Sequence, residues 1–375
     1  MSIKILLSEI WKPVNKILSI IIFVELSNYL FIKQNLKKEV IFPDSYKEAD
    51  WFSEYWEELS MICNDMTEWS PYVHWQLKPY SGKYINIKTD STRKTWNSFI
   101  KSEIKIFMFG GSTMWGYGAR DDYTIPSLTA KILYEKFGIN AEIVNYGQLG
   151  YINTQELMKL ILLIQEKNIP SLVIFYDGIN DVFSTFAKEA GIKHRKFEME
   201  QKSQEKLLNK LLDIIRAHSF IYSIINHLVN KFHPKKQVVL LDDSKIKKIP
   251  SIVMQKYTSN LKIISALAKN YSFEYLFYLQ PTIYEKKSLT LFENETISNT
   301  LGINADIIKL VYHNSYNQIL NQVSQDHFID ISRFFENETE SLYIDPWHIN
   351  EYGNKLIAEK IAHDIFKYFY NTKYK

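Results

Sequence analysis

One cysteine, Cys63, stands in 375 residues. A lone thiol excludes an intrachain disulfide and any zinc site built on cysteines, and it assigns no compartment. The histidines are few, nine, and do not cluster, so no metal is expected; His194, His218, His227 and His233 read as exposed helix residues. Charge of one sign is not in excess either. Forty-five basic residues against 42 acidic ones leave a formal net charge of +3, which gives no electrostatic case for nucleic acid. No repeat of 20 to 50 residues is present, which excludes solenoids and propellers. Three sequence motifs of other chemistries are missing as well. Gly116 is followed by Tyr117, not by the lysine of a phosphate-binding loop; Gly116-Tyr-Gly118 lacks the third glycine of a dinucleotide fingerprint; and Met114 stands where a Gly-x-Ser-x-Gly elbow needs glycine. No cofactor is therefore expected.

What the chain does hold is a composition that buries a core. Hydrophobic residues reach 46% and charged ones 23%, those of an ordinary globular protein, and the length suffices for one large domain or two smaller ones. Residues 17 to 32, ILSIIIFVELSNYLFI, form the most hydrophobic segment. Sixteen helical residues span about 24 Å, against a bilayer core of about 30 Å. Eleven Ile, Leu, Val and Phe residues favour insertion by roughly 5 kcal/mol, and Glu25 opposes it by roughly 3. Residues 1–40 are thus expected to form an N-terminal hydrophobic helix that anchors the chain to a membrane. The rest is expected outside the cytoplasm, although three lysines on each side leave orientation undecided. Residues 41–100 carry Trp51, Trp56, Trp69, Trp75 and Trp96 and read as an aromatic-rich extension, with a turn over Pro79 to Lys83 between two extended runs. Such a cluster is more simply a small core than a sugar-binding face.

From residue 101 strands and helices alternate, and residues 101–375 read as one domain. Ile104 to Phe109 is a short apolar strand that stops at Gly110-Gly111, glycines expected for close backbone approach and positive φ, with Ser112 just beyond. Thr124 followed by Pro126 opens a helix to about Phe137. Ile143-Val144 is a second strand, ending at Asn145 to Gly150. Asn153 with Glu156 reads as a capping box before a stripe of Leu157, Leu160, Ile161 and Ile164. Leu172 to Tyr176, Tyr275 to Leu279 and Phe328 to Ile331 complete the strands, and Ile357, Ile361, Ile365 and Phe369 mark one face of the last helix. The alternation predicts an α/β fold with a mostly parallel sheet and helices on both faces. A helical insertion at 183–250 and a loop at 283–300 interrupt it, in positions where lids form.

A serine hydroxyl needs a base, the base needs an orienting group, and the developing oxyanion needs donors. Ser112 sits where a parallel sheet binds ligands. Asp345 and His348 are three residues apart just before the last helix, close enough for the carboxylate to fix the imidazole while the other ring nitrogen faces Ser112. Asn180 follows the third strand with a donor amide, and Gly150 follows the second with an accessible N–H. Singly these are weak signals; their order after successive strands is not.

In these four segments the chain resembles the SGNH hydrolases, or GDSL-type esterases and lipases, over residues 104 to 370. Gly110-Gly111-Ser112 is similar to the nucleophile motif, with Gly111 in place of the commoner Asp; Asn145 to Gly150, Gly178-Ile179-Asn180-Asp181 and Asp345 to His348 resemble the later motifs in the family's order. The N-terminal helix resembles that of some membrane-anchored bacterial members. The resemblance implies a flavodoxin-like three-layer α/β/α sandwich, a triad of Ser112, His348 and Asp345, and an oxyanion hole from the Ser112 and Gly150 backbones with the Asn180 side chain. Three functions are open at this point. The first is a serine esterase removing a short acyl group, such as acetyl, from a carbohydrate or other small ester. The second is an O-acyltransferase with the same triad, and the third a non-catalytic membrane-tethered binding or assembly protein on a hydrolase fold.

Overall fold

A computed structural model describes residues 43–96, 102–189, 243–301, 305–324 and 326–373. The hydrophobic segment 17–32 and most of the 183–250 insertion lie outside the described residues. Among the described residues no helix is long and apolar enough to cross a membrane.

The aromatic-rich stretch begins with helix α1 (Phe52–Asp65), which buries Phe52, Tyr55, Leu59 and Ile62 along one stripe. Two small antiparallel hairpins follow, β1 (Thr67–Ser70) with β2 (His74–Leu77), and β3 (Tyr80–Ser81) with β4 (Asn86–Ile87). The turn expected at 79–83 falls slightly later, because Tyr80 and Ser81 are themselves paired with Ile87 and Asn86. Glu58 of α1 fixes it there: its carboxylate accepts from the N–H groups of Lys83, Tyr84 and Ile85.

The main sheet has five parallel strands, β5 (Lys105–Gly110), β6 (Glu142–Asn145), β7 (Leu172–Asp177), β8 (Glu274–Leu279) and β9 (Phe328–Asp330). Their spatial order is β6-β5-β7-β8-β9, every neighbouring pair parallel. This is the doubly wound order in which chain direction reverses beside the first strand, so the crevice opens at the carboxyl ends of β5 and β7. Burial on both faces explains why β7 reads Leu-Val-Ile-Phe-Tyr-Asp with no exposed position.

The helices between and after the strands are α2 (Ser112–Trp115), α3 (Ile125–Phe137), α4 (Asn153–Gln165), α5 (Ile179–Glu189), α6 (Asp243–Tyr271), α7 (Leu291–Leu301), α8 (Ala305–Leu320) and α9 (Glu351–Lys373). Alternate residues of each strand face opposite layers. Phe107, Phe109, Val173, Phe175 and Phe277 pack with α4, α5, α6 and α8, whereas Ile106, Met108, Ile174, Tyr176 and Tyr278 pack with α3 and α9. The result is a three-layer α/β/α sandwich, and all described residues fall in one compact unit. Helix α3 starts where the sequence places it, with the Thr124 hydroxyl accepting from Ser127 N–H at 3.3 Å.

Two local expectations are corrected. Helix α4 is not opened by a box of Asn153 and Glu156; its cap residue is Ile152, whose N–H donates to the Gln155 side chain at 3.2 Å. Asn153 instead bonds to the buried Asp177 and Asp181, and Glu156 is buried beside them. Residues 283–300 are also not a simple loop, since α7 begins within them. Its start is a reciprocal box in which Glu293 N–H donates to the Thr290 hydroxyl at 3.3 Å and Thr290 N–H to the Glu293 carboxylate at 3.0 Å.

Glu293 does more than cap. It pairs with Lys286 at 2.7 Å, both side chains fully buried, and accepts from Leu342 N–H and Tyr343 N–H at 3.1 Å each. Lys286 also donates to the Glu340 carbonyl at 2.6 Å. The pair therefore fixes residues 340–343, directly ahead of Asp345. Removing one partner of a buried pair typically costs about 3–5 kcal/mol. Glu293→Gln is accordingly expected to lower the unfolding free energy by about that amount in urea titrations; a loss within experimental error would show that the pair holds nothing.

Candidate active site

Ser112 is the first residue of α2, immediately after the two glycines that end β5. The glycines are needed for space. A Cβ on Gly110 would stand 2.6 Å from both the Met114 Cβ and the Tyr176 carbonyl oxygen, and one on Gly111 would stand 2.1 Å from the Asn180 amide nitrogen. The positive φ expected here is not used, since Gly111 has φ −77°. As the first residue of a helix, Ser112 has an N–H with no intrahelical acceptor, and none of the described residues supplies one.

Asp345 and His348 lie in a short loop closed by backbone bonds from Ile344 N–H to the His348 carbonyl and from Asn350 N–H to the Leu342 carbonyl, 2.9 and 2.8 Å. Asp345 uses one carboxylate oxygen to accept from Trp347 N–H (2.9 Å) and His348 N–H (2.8 Å), so it braces the very loop it belongs to. Its other oxygen meets His348 Nδ1 at 2.5 Å, and His348 Nε2 meets Ser112 Oγ at 2.7 Å. With a carboxylate on Nδ1 the ring proton sits on that nitrogen, and Nε2 is left to accept the serine proton. Burial pushes the Asp345 carboxyl up, but the His348 ring and the two backbone N–H groups outweigh it and hold it below the ordinary aspartate value. It is therefore ionised throughout the neutral range. Tyr117 stacks on the imidazole, ring centroids 4.1 Å apart, and limits its rotation.

Asn180 opens α5 beyond β7. Its amide donates to the Tyr151 carbonyl at 2.8 Å, which leaves its second N–H free for another acceptor. Gly150 adopts φ +75°, a conformation that favours glycine, and its N–H has no acceptor among the described residues. Ser112, Asn180 and His348 line one cavity of about 170 Å³, together with Thr113, Ile179, Phe183, Gln280 and Trp347. Asp345 stands behind His348. Gly150 does not line that cavity and joins the site through its neighbour Tyr151.

The 148–155 segment that carries Gly150 is braced from two sides. From the aromatic extension, Trp75 Nε1 donates to the Leu149 carbonyl (3.0 Å), Leu77 N–H to the Gln148 side chain (3.0 Å), and Gln148 and Gln155 amides to the carbonyls of Ser91 and Val73 (2.8 Å each). From beneath, Asp181 accepts from Asn153 N–H at 3.2 Å and Asp177 from the Asn153 amide at 2.8 Å. The extension also holds the turn that follows Ser112. Arg93, wholly buried, pairs with Asp121 at 3.0 Å and donates to the carbonyls of Trp115, Gly116 and Ala119. The aromatic stretch is thus both a core and a scaffold for the loops after β5 and β6, a role that sequence reading missed because it rests on partners tens of residues away.

Asp177, Asp181 and Glu156 form a buried acidic group beneath these loops. Burial raises Asp177 to about 7; burial and the neighbouring carboxylates raise Glu156 and Asp181 well above their ordinary values. A carboxyl whose folded pKa exceeds its unfolded one stabilises the fold fully only at acid pH, and that contribution declines as pH rises from about 4 to the folded value. Asp177→Asn keeps an acceptor for Asn153 and removes the ionisation. It should flatten the fall in unfolding free energy between pH 5 and 8; an unchanged slope would remove Asp177 as its source.

No protein-family model matches this sequence, and no curated protein matches it. Among solved structures the chain is similar to the lipase Lip_vut3 from a goat rumen metagenome, at 12% identity over 69% of this chain and 95% of that one, with a TM-score of 0.41. It is also similar to the acetyl xylan esterase AlAXEase, at 14% identity over 70% of this chain and 100% of that one (TM-score 0.37). A third is a member of the lipolytic protein G-D-S-L family from Veillonella parvula DSM 2008, at 13% identity over 70% and 98% (TM-score 0.39). At these identities and scores the likenesses carry no weight for the reaction; the fold is read from strand order, and the site from side-chain geometry.

Proposed function

We propose that the protein is a serine esterase that hydrolyses short acyl esters. The observation that carries this reading is the unbroken chain from Asp345 through His348 to Ser112, 2.5 and 2.7 Å, opening on a small cavity. Ser112 Oγ attacks the ester carbonyl while His348 Nε2 takes its proton, and the Asp345 carboxylate stabilises the imidazolium. The N–H of Ser112 and the free N–H of Asn180, both residues lining the cavity, receive the oxyanion, and the N–H of Gly150, which adjoins the site through Tyr151, is the third donor that the resemblance implies. Collapse expels the alcohol, protonated by His348, and water repeats the sequence on the acyl-serine.

The cavity, about 170 Å³, suits a short acyl group such as acetyl. The aromatic wall of Phe183 and Trp347, ring centroids 5.3 Å apart, supports a carbohydrate as the alcohol, since the C–H face of a sugar packs against such surfaces. Transfer of the acyl group to a sugar hydroxyl would share the first half of this mechanism, and nothing among the described residues favours it.

An active-site fluorophosphonate should label the wild type and spare Ser112→Ala, and His348→Ala should lower acetyl-ester turnover about 10⁴-fold or more. Equal labelling of wild type and Ser112→Ala would sink the assignment. The same proposal tethers the chain to a membrane through residues 17–32. The full-length protein should remain with membranes after an alkaline carbonate wash, and recovery in the supernatant would remove the anchor.

A further inference from the structure

Tyr117 belongs neither to the triad nor to the oxyanion donors, yet it is tied to both ends of the Ser112–His348 contact. Its N–H donates to the Ser112 carbonyl at 2.9 Å, and its ring lies over the His348 imidazole with centroids 4.1 Å and planes 26° apart. The flanking peptides hold it there. The Gly116 carbonyl accepts from Arg93 at 2.7 Å, and Gly118 donates its N–H to the Tyr55 hydroxyl and accepts from that of Tyr46, 2.8 Å each. Trp56 of α1 meets the Tyr117 ring at 83°, centroids 6.3 Å apart.

The orientation of the ring decides what the contact can do. An aromatic ring is negative over its face and positive at its edge. The imidazole is neutral at rest and becomes an imidazolium when Nε2 takes the Ser112 proton. A face laid parallel on it therefore attracts it more strongly after that transfer than before; an edge would oppose the charge, and an aliphatic side chain would fill the space with no preference. Only an interaction that strengthens in the transition state speeds the chemical step. The phenol adds no charge of its own, because its burial, and after it the Asp345 carboxylate, push its ionisation far above the ordinary tyrosine range.

Resting on the esterase reading, we propose that Tyr117 is a positioning residue whose ring face stabilises the His348 imidazolium formed as Ser112 attacks. The proton passes from Ser112 Oγ to His348 Nε2 as the new C–O bond forms, and leaves on the alcohol when the old one breaks. The charge is present only between those two events, so the benefit falls on kcat and not on substrate binding.

The test replaces the ring and then changes only its electrons. Tyr117→Leu is expected to lower kcat on an activated acetyl ester about tenfold or more with KM within about twofold, while Tyr117→Phe, which keeps the face, restores at least about half of the wild-type kcat. Phenylalanines with one, two and three ring fluorines placed at position 117 keep the shape and drain the face of charge. Across that series kcat and the rate of fluorophosphonate labelling should fall step by step, to about fivefold at the third fluorine. A flat series, or a Tyr117→Leu variant as fast as wild type, would overturn the proposal while leaving wild-type protein active and labelled. Wild-type protein inactive on every acetyl ester and unlabelled would overturn the esterase reading itself, and this proposal with it.

Discussion

Ser112 and His348 are 236 residues apart in sequence, and their 2.7 Å contact exists only while the two loops that carry them keep their register. The Arg120–Glu351 fork supplies that register. Arg120 follows Ser112 by eight residues and grips Glu351, three residues past His348, through Nε at 2.9 Å, a terminal nitrogen at 2.8 Å and its backbone N–H at 3.0 Å. A bidentate guanidinium–carboxylate pair fixes orientation as well as distance. Tyr46 reinforces it, donating to the Gly118 carbonyl and accepting from Glu351 N–H, 2.8 Å each. The Lys286–Glu293 pair holds the approach to Asp345 from the other side.

The half of the site that carries Asn180 is built differently. Asn180 and Asp181 are consecutive, and both reach back to residues 151–153, one to a carbonyl and one to an N–H. The turn after β7 and the segment after β6 are thereby locked to each other. The lock carries an electrostatic penalty, because Asp177, Asp181 and Glu156 share a buried space where not all can be charged. Local destabilisation beneath a rigid site is an arrangement that the high stability of a fully buried parallel sheet can sustain.

The parallel sheet, the cap at Thr124, the strand ending before Ser112 and the Asp345–His348 loop were all legible in the sequence, because each is a local pattern: an apolar run, a capping residue with proline, a three-residue spacing. What was illegible depends on contacts between distant segments. Arg93 lies in an aromatic stretch and gives no sign that it is buried against three carbonyls. The Asn153–Glu156 spacing imitated a capping box, and only the distant acids at 177 and 181 decide that Asn153 bonds to them instead. The box at Thr290–Glu293 was readable, yet the polar composition around it favoured a loop. Gly111 is legible as a glycine; that the Asn180 amide occupies the place of its Cβ is not.

The strand order also governs when the site can come into being. A chain is made from its amino end, and domains begin to fold as it emerges. The serine, its turn and the donors from β6 and β7 all precede residue 182, but the histidine and its carboxylate belong to the loop that docks with the last helix. On the proposed mechanism, Ser112 therefore gains its base only once the loop ahead of α9 has docked, α9 itself lying against α3.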